Sequence, residues 1–270
     1  MNSEIYDKYE IIDAHAHIFP KKIAKNATDN IGHFYDLDMN SCGLSEKLIE
    51  SGSKIGVSRY LVCSTATTPH QISSINKFIA EECAEHECFY GFGTVHPDSE
   101  NIDADIEQIV SLGLHGVKIH PDFQLFNVDD RKAYPIYEQI EGKLPILIHC
   151  GDSRYDYSAP KRVANVHRDF PKLRIMAAHL GGYQSWDEAV ECLTGLENVN
   201  FDVSSSLSFL TKERAAEIIR NYGVEKCFFG SDFPMWSHED ELERFLALGL
   251  TEDENRRILA DNFKEYMNIK

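Results

Sequence analysis

Positive charge is scarce in this sequence relative to its length. The 270 residues carry 27 Lys and Arg against 44 Asp and Glu, a formal net charge of −17 at pH 7. So acidic a surface repels phosphate backbones and anionic lipid, so neither nucleic acid nor a membrane is an expected partner. Long apolar runs are missing too, and none approaches the roughly 18 residues of a spanning helix. The opening residues, Met1-Asn2-Ser3-Glu4-Ile5-Tyr6-Asp7, lack the basic and apolar regions of a secretory signal. Cysteines at 42, 63, 83, 88, 150, 192 and 227 follow no disulfide framework, and Cys83 with Cys88 has no second pair to complete a zinc knuckle. Reduced thiols in a cytoplasmic protein are therefore expected. No Gly-x-Gly-x-x-Gly opens a helix after the first strand, which weakens a dinucleotide-binding reading. No Pro/Gly/Ser-rich linker divides the chain, so residues 1–270 read as one domain.

What is present is a regular beat. Short β-rich runs occupy residues 10–17, 58–65, 89–97, 114–121, 144–151, 172–182, 198–206 and 226–234. Amphipathic segments lie between them. Ile102, Ile106 and Ile109 share one helical face, and Thr211 and Gly223 mark the start and stop of another helix. Strands alternating with helices imply parallel strands and right-handed crossovers. Eight such units predict a (β/α)8 TIM barrel. The first interval is long because residues 18–43 form an inserted loop after strand one, expected to cover the mouth of the barrel with contacts from His33 to Tyr35. Residues 251–267 read as a C-terminal helix capped by Thr251 and Glu254.

Ionisable residues collect where a barrel places its active site, at the carboxyl ends of the strands. Strand one ends His15-Ala16-His17, with both imidazoles on the inward face. Strand four ends Lys118-Ile119-His120, strand five His149, strand six His179 and strand eight Asp232. Several runs are apolar until the ionisable group arrives, an arrangement too costly without a compensating partner. Imidazoles and a carboxylate converging on one rim suit a divalent transition metal. The remaining histidines, His33 and His238 among them, are read as ordinary hydrogen-bonded or surface residues.

Together, Ile12-Asp13-Ala14-His15-Ala16-His17, Gly116-Val117-Lys118-Ile119-His120-Pro121, His149, Ala178-His179-Leu180-Gly181-Gly182 and Gly230-Ser231-Asp232-Phe233-Pro234 resemble the amidohydrolase superfamily. They are most similar to its amidohydrolase-related branch, which includes aminocarboxymuconate-semialdehyde decarboxylase. Residues 257–263 resemble the Asn-containing terminal helix of that branch. The resemblance implies His15, His17, His149 and Asp232 as ligands of one divalent ion, zinc by preference, with His179 assisting the metal-bound water. In two-metal members a fourth-strand lysine is carbamylated and bridges both ions; in the one-metal branch Lys118 would contact substrate instead. An ion pair of Lys118 with Asp122 is the plain structural alternative.

Three imidazoles and one carboxylate leave a place on zinc for water, whose pKa falls to about 7. The expected reaction is hydrolysis of an amide, ester or lactone in a small, carboxylate-bearing substrate. Lys118, His120 and Arg154 would supply the anion site, and Trp236 would pack on an organic ring. Non-oxidative decarboxylation in the same site is the alternative, and a non-catalytic binding protein a third. A homodimer is compatible with the sequence, which does not set the oligomeric state.

Overall fold

The computed structural model describes residues 8–269. The signal-peptide reading of residues 1–7 lies outside them. In chain order the elements begin with β1 (Ile11–His17), α1 (Ala24–Tyr35), α2 (Ser45–Ser53), β2 (Val57–Cys63), α3 (Ile72–Glu85), β3 (Phe89–Thr94) and α4 (Ile102–Ser111). There follow β4 (Gly116–Ile119), α5 (Pro121–Gln124), α6 (Tyr134–Ile140), β5 (Ile146–Ile148), α7 (Pro160–Asp169), β6 (Ile175–Ala177) and α8 (Trp186–Leu193). The chain ends with β7 (Val199–Asp202), α9 (Lys212–Tyr222), β8 (Cys227–Phe228), α10 (His238–Leu246), α11 (Glu252–Arg256) and α12 (Asn262–Met267).

One eight-stranded sheet runs in sequence order from β1 to β8. Strands β3 to β7 pair in parallel, each separated from the next by helix. This is the (β/α)8 barrel that the beat predicts. Two compact units share it: one runs to Val62 and resumes at Val203, and the other is Cys63–Asp202. In the first unit the Ala14 and His17 amides donate to the carbonyls of Phe229 and Phe233, at 2.9 and 2.7 Å. The strand that follows the N-terminus is thereby tied to the segment that runs on from β8. In the second unit every residue of β4, β5 and β6 is buried.

The helices form for the reasons their sequences suggest. Ile102, Ile106 and Ile109 are the buried residues of α4, and Asn101 Oδ1 caps its start by accepting from the Ala104 amide. Thr211 does the same for α9, which stops at Gly223, where φ is 98°. Chemistry begins where the ladders stop: His149 and His179 lie just past β5 and β6, and Asp232 lies beyond β8.

Two expectations need correcting. Residues 18–43 are more than an inserted loop, because α1 lies inside them. Its buried positions are Ala24, Thr28 and Gly32, one face of a helix lined by small residues. Hydrophobic periodicity cannot detect such a face. The segment is clamped at its base by the Phe19 amide on the Gly43 carbonyl, at 2.8 Å. Its far end is bonded to the stretch after β8, through Asn40 to Met235 and Ser41 to Pro234. The C-terminal helix is also not uniform: a π-helical turn, Arg257–Asp261, separates α11 from α12. Just past that turn, Asn262 Nδ2 donates to the carbonyls of Val224 and Cys227, at 2.7 and 2.9 Å.

Replacing Asn262 with Ala strands two carbonyls at the edge of β8. The variant should lose about 1–3 kcal/mol of unfolding free energy, read as a lower urea midpoint at unchanged slope.

Candidate active site and metal centre

In the first unit, β1 alternates strictly. Asp13, His15 and His17 share the inward face, while Ile12, Ala14 and Ala16 fill the other side. The Asp232 amide donates to the His15 carbonyl at 2.8 Å, which brings the ends of two strands together. As a result three donor atoms converge. His15 Nε2 and His17 Nε2 are 3.1 Å apart, and Asp232 Oδ1 lies 3.7 Å from the first and 3.3 Å from the second. Two ligand atoms about 2.1 Å from a shared ion at a tetrahedral angle lie about 3.4 Å apart. Two imidazole nitrogens and a carboxylate oxygen at this spacing fit one face of a metal coordination sphere.

Beneath this triangle sits Asp13, fully buried. Its carboxylate accepts from the His15 amide (3.0 Å), the Ser231 amide (2.9 Å) and the Ser231 hydroxyl (2.5 Å). His238 Nε2 lies 2.9 Å from Asp13 Oδ2, and His238 Nδ1 lies 2.8 Å from Ser51 Oγ. His238 is thus the hydrogen-bonded residue its sequence reading expects, and its two partners make it part of the support for the ligand strand. In the sequence, Asp13 is marked by its place two residues before His15 on the same strand face.

In the second unit, Lys118 is completely buried and stands in register with Thr94 and Leu147. His120 opens α5 and stacks flat between Phe123 and His149, with ring centroids 3.7 and 3.8 Å apart and planes 8° off parallel. His149 turns Nδ1 to His179 Nε2, 3.0 Å away, and Nε2 toward Asp122 Oδ2 at 3.8 Å. The expected metal ligand and the expected proton carrier are therefore in direct contact. His179 is held from both sides, its amide donating to Asp202 Oδ1 and its carbonyl accepting from Trp186 Nε1. Gly151, two residues past His149, has φ of 80°, and a Cβ there would lie 2.6 Å from the Gly182 carbonyl carbon. Only glycine lets the loops after β5 and β6 approach so closely.

A family model described as amidohydrolase matches residues 12–262. The chain belongs to the amidohydrolase family. No curated protein matches it significantly. Among solved structures it is similar to an uncharacterised TIM-barrel protein from Bordetella bronchiseptica, at 18% identity and a TM-score of 0.77, over 96% of this chain and 99% of that one. It is also similar to 5-carboxyvanillate decarboxylase from Sphingomonas paucimobilis, at 16% identity and a TM-score of 0.72, over 97% and 99% of the two chains. A third is dihydroxybenzoic acid decarboxylase from a Polaromonas species, solved with manganese and the inhibitor 2-nitroresorcinol. There the identity is 13%, the TM-score 0.75 and the coverage 97% of each chain. At these identities the likeness establishes a common fold.

Two of the expected substrate contacts in this amidohydrolase are already engaged. Arg154 forks onto Asp152, with Nε to Oδ1 at 2.9 Å and Nη2 to Oδ2 at 2.7 Å. That is the bidentate geometry expected for a substrate carboxylate, here taken by the protein itself. Trp236 donates its indole N–H to Ser205 Oγ at 2.8 Å and meets Phe209 edge to face. Several site residues sit in left-handed backbone: His179 at φ 61°, Ser205 at 51° and Asp232 at 54°. For non-glycine residues this costs about 1–3 kcal/mol each, and such strain concentrates at functional positions.

Asp122, a carboxylate beside His149, was not singled out as a site residue by the sequence. Burial pushes its carboxyl up to about 6, against a hydrogen bond from Ser158 that opposes the shift. Its Oδ1 has no hydrogen-bond partner. Because the folded carboxyl holds its proton more tightly than the unfolded one, it favours the fold below pH 3.8, and that contribution is lost as pH rises through about 6. Wild type should therefore lose roughly 2–3 kcal/mol relative to Asp122→Asn between pH 4 and 7, since each pKa unit is worth about 1.4 kcal/mol. Urea unfolding of both proteins across that range tests it, and parallel profiles would refute it.

Proposed function

We propose that this amidohydrolase binds one divalent ion through His15, His17, His149 and Asp232 and removes carbon dioxide from a small, carboxylate-bearing aromatic substrate without oxidation. The triangle of His15 Nε2, His17 Nε2 and Asp232 Oδ1, 3.1–3.7 Å on a side, carries the metal part of this reading. The likeness to decarboxylases of 5-carboxyvanillate and dihydroxybenzoic acid favours decarboxylation over hydrolysis. Hydrolysis of an amide, ester or lactone ranks second. The nitrogen-rich donor set suits zinc, and the manganese in the dihydroxybenzoic acid decarboxylase makes that ion the other candidate.

A divalent ion in this site supplies Lewis-acid polarisation of substrate oxygens. The protein does the rest. Lys118, fully buried, takes the anionic end of the substrate, where burial makes a charge pairing count for more than one in water. Arg154, clamped on Asp152, presents a fixed guanidinium at the loop after β5. Trp236 offers a flat surface to an aromatic ring, and His120, its two faces covered by Phe123 and His149, offers its ring edge. The bond between the ring carbon and the carboxylate breaks, its electron pair stays on the ring carbon, and His179 delivers the proton that replaces the departing carbon dioxide. The segment 18–43 covers the site, supported by its backbone bonds to Pro234 and Met235. The catalytic unit on this reading is a single domain spanning 1–270. Seven cysteines without disulfides suit the cytoplasm, and among the described residues no helix is long and apolar enough to cross a membrane.

Metal-replete protein should hold about one ion per chain by elemental analysis, His15→Ala should lose it, and Lys118→Ala should keep it. Loss of all metal from the Lys118 variant would point to a carbamate-bridged pair instead. A panel of hydroxybenzoates and other carboxy-aromatics, assayed for released carbon dioxide, should contain a substrate; turnover only of lactones or amides would replace decarboxylation with hydrolysis. On that substrate His179→Ala should lower kcat by roughly a hundredfold to ten-thousandfold while metal content stays the same. Metal loss in that variant would make His179 a ligand.

A further inference from the structure

Three consecutive serines, Ser204, Ser205 and Ser206, follow β7, all buried. The first two reach the candidate ligands. Ser204 Oγ lies 3.2 Å from His15 Nδ1, and Ser205 Oγ donates to Asp232 Oδ2 at 2.6 Å. Ser206 turns back onto the Ser204 carbonyl at 3.1 Å. The hydroxyl of Ser205 also receives the indole N–H of Trp236, at 2.8 Å.

The direction of this relay follows from elementary donor chemistry. An indole nitrogen can only donate, and a hydroxyl has one proton and two lone pairs. Trp236 therefore occupies a lone pair of Ser205, which leaves the hydroxyl proton for Asp232. That bond commits Oδ2 of the carboxylate, while Oδ1 faces His17 and His15. At His15 the matching constraint acts on the tautomer. Nε2 faces the triangle and must be unprotonated to bind an ion, so Nδ1 carries the proton and points it at Ser204.

We propose that Ser204 and Ser205 are positioning residues that hold His15 in its Nδ1–H tautomer and restrict Asp232 to one-oxygen ligation, with Trp236 locking the Ser205 hydroxyl. The inference rests on the metal reading above. It also recasts Trp236: its polar edge serves the ligand set, whatever its flat face touches. Restricting Asp232 to one oxygen keeps a coordination position open, which a substrate oxygen needs. Ser205 itself sits at φ 51°, so the strand end accepts backbone strain to aim this hydroxyl.

The test is calorimetric titration of metal-free protein with Mn2+ and with Zn2+, for wild type, Ser204→Ala, Ser205→Ala, Ser205→Thr and Trp236→Phe. Outer hydrogen-bond partners of metal ligands are worth roughly 10–100-fold in affinity. Ser205→Ala should weaken binding by that factor, Ser205→Thr should restore most of it, and Trp236→Phe should weaken wild type while adding nothing in the Ser205→Ala background. Indole fluorescence should shift in metal-free Ser205→Ala, because Trp236 loses its acceptor. If Ser205→Ala does not fold, Trp236→Phe and Ser204→Ala carry the test, each expected to weaken binding in a protein of near wild-type melting temperature. Wild-type affinity in the serine variants overturns the inference and leaves the metal reading intact. So does a loss that threonine fails to restore and that tracks reduced stability of the metal-free protein. A wild type that binds neither ion overturns the metal reading, and this inference with it.

Discussion

The carboxylate of Asp13 is the constraint on which the candidate ligand geometry of the first unit depends. Four donors converge on it: two backbone amides, the Ser231 hydroxyl and the His238 ring. A buried carboxylate with so many partners is held in place, because each hydrogen bond offsets part of the cost of taking the group out of water. The amides belong to His15 and Ser231, one of them a candidate ligand and the other the neighbour of Asp232. Asp13 therefore sets the spacing of the two strand ends before any ion arrives. Preorganisation of this kind lets a metal bind without first ordering its ligands.

The histidines of the second unit follow a different logic. His120, His149 and His179 pack against one another, stacked in one case and edge-on in the other, with Asp122 beside His149 and Asp202 beside His179. Lys118 is buried on the neighbouring strand end. A neutral imidazole is what both metal ligation and proton exchange near neutral pH require.

Strain and packing are balanced locally. His179, Ser205 and Asp232 occupy left-handed backbone, and each is secured by bonds that a relaxed conformation would forfeit. Asp232 exchanges an easy backbone for an amide bond to the His15 carbonyl and a hydroxyl on its Oδ2. The π-helical turn near the C-terminus is a comparable irregularity, placed just before Asn262 and its two bonds at the edge of β8.

The alternation of strands and helices, the barrel, and the place of each of His15, His17, His149, His179 and Asp232 at or just past the end of its own strand were legible in the sequence. They depend on periods of two and 3.6 residues, which are local properties. Helix α1 escaped because its buried face is Ala, Thr and Gly, with too little apolar surface to register. The tertiary structure alone decided which polar groups meet. His238 reaches Asp13 across 225 residues of chain, Ser204 reaches His15 across 189, and Ser205 reaches Asp232 across 27. Arg154 forks onto Asp152, two residues away, because the loop bends back on itself. A hydrogen bond needs a partner within about 3 Å in a set direction, and no sequence period encodes that when the partner arrives on another strand.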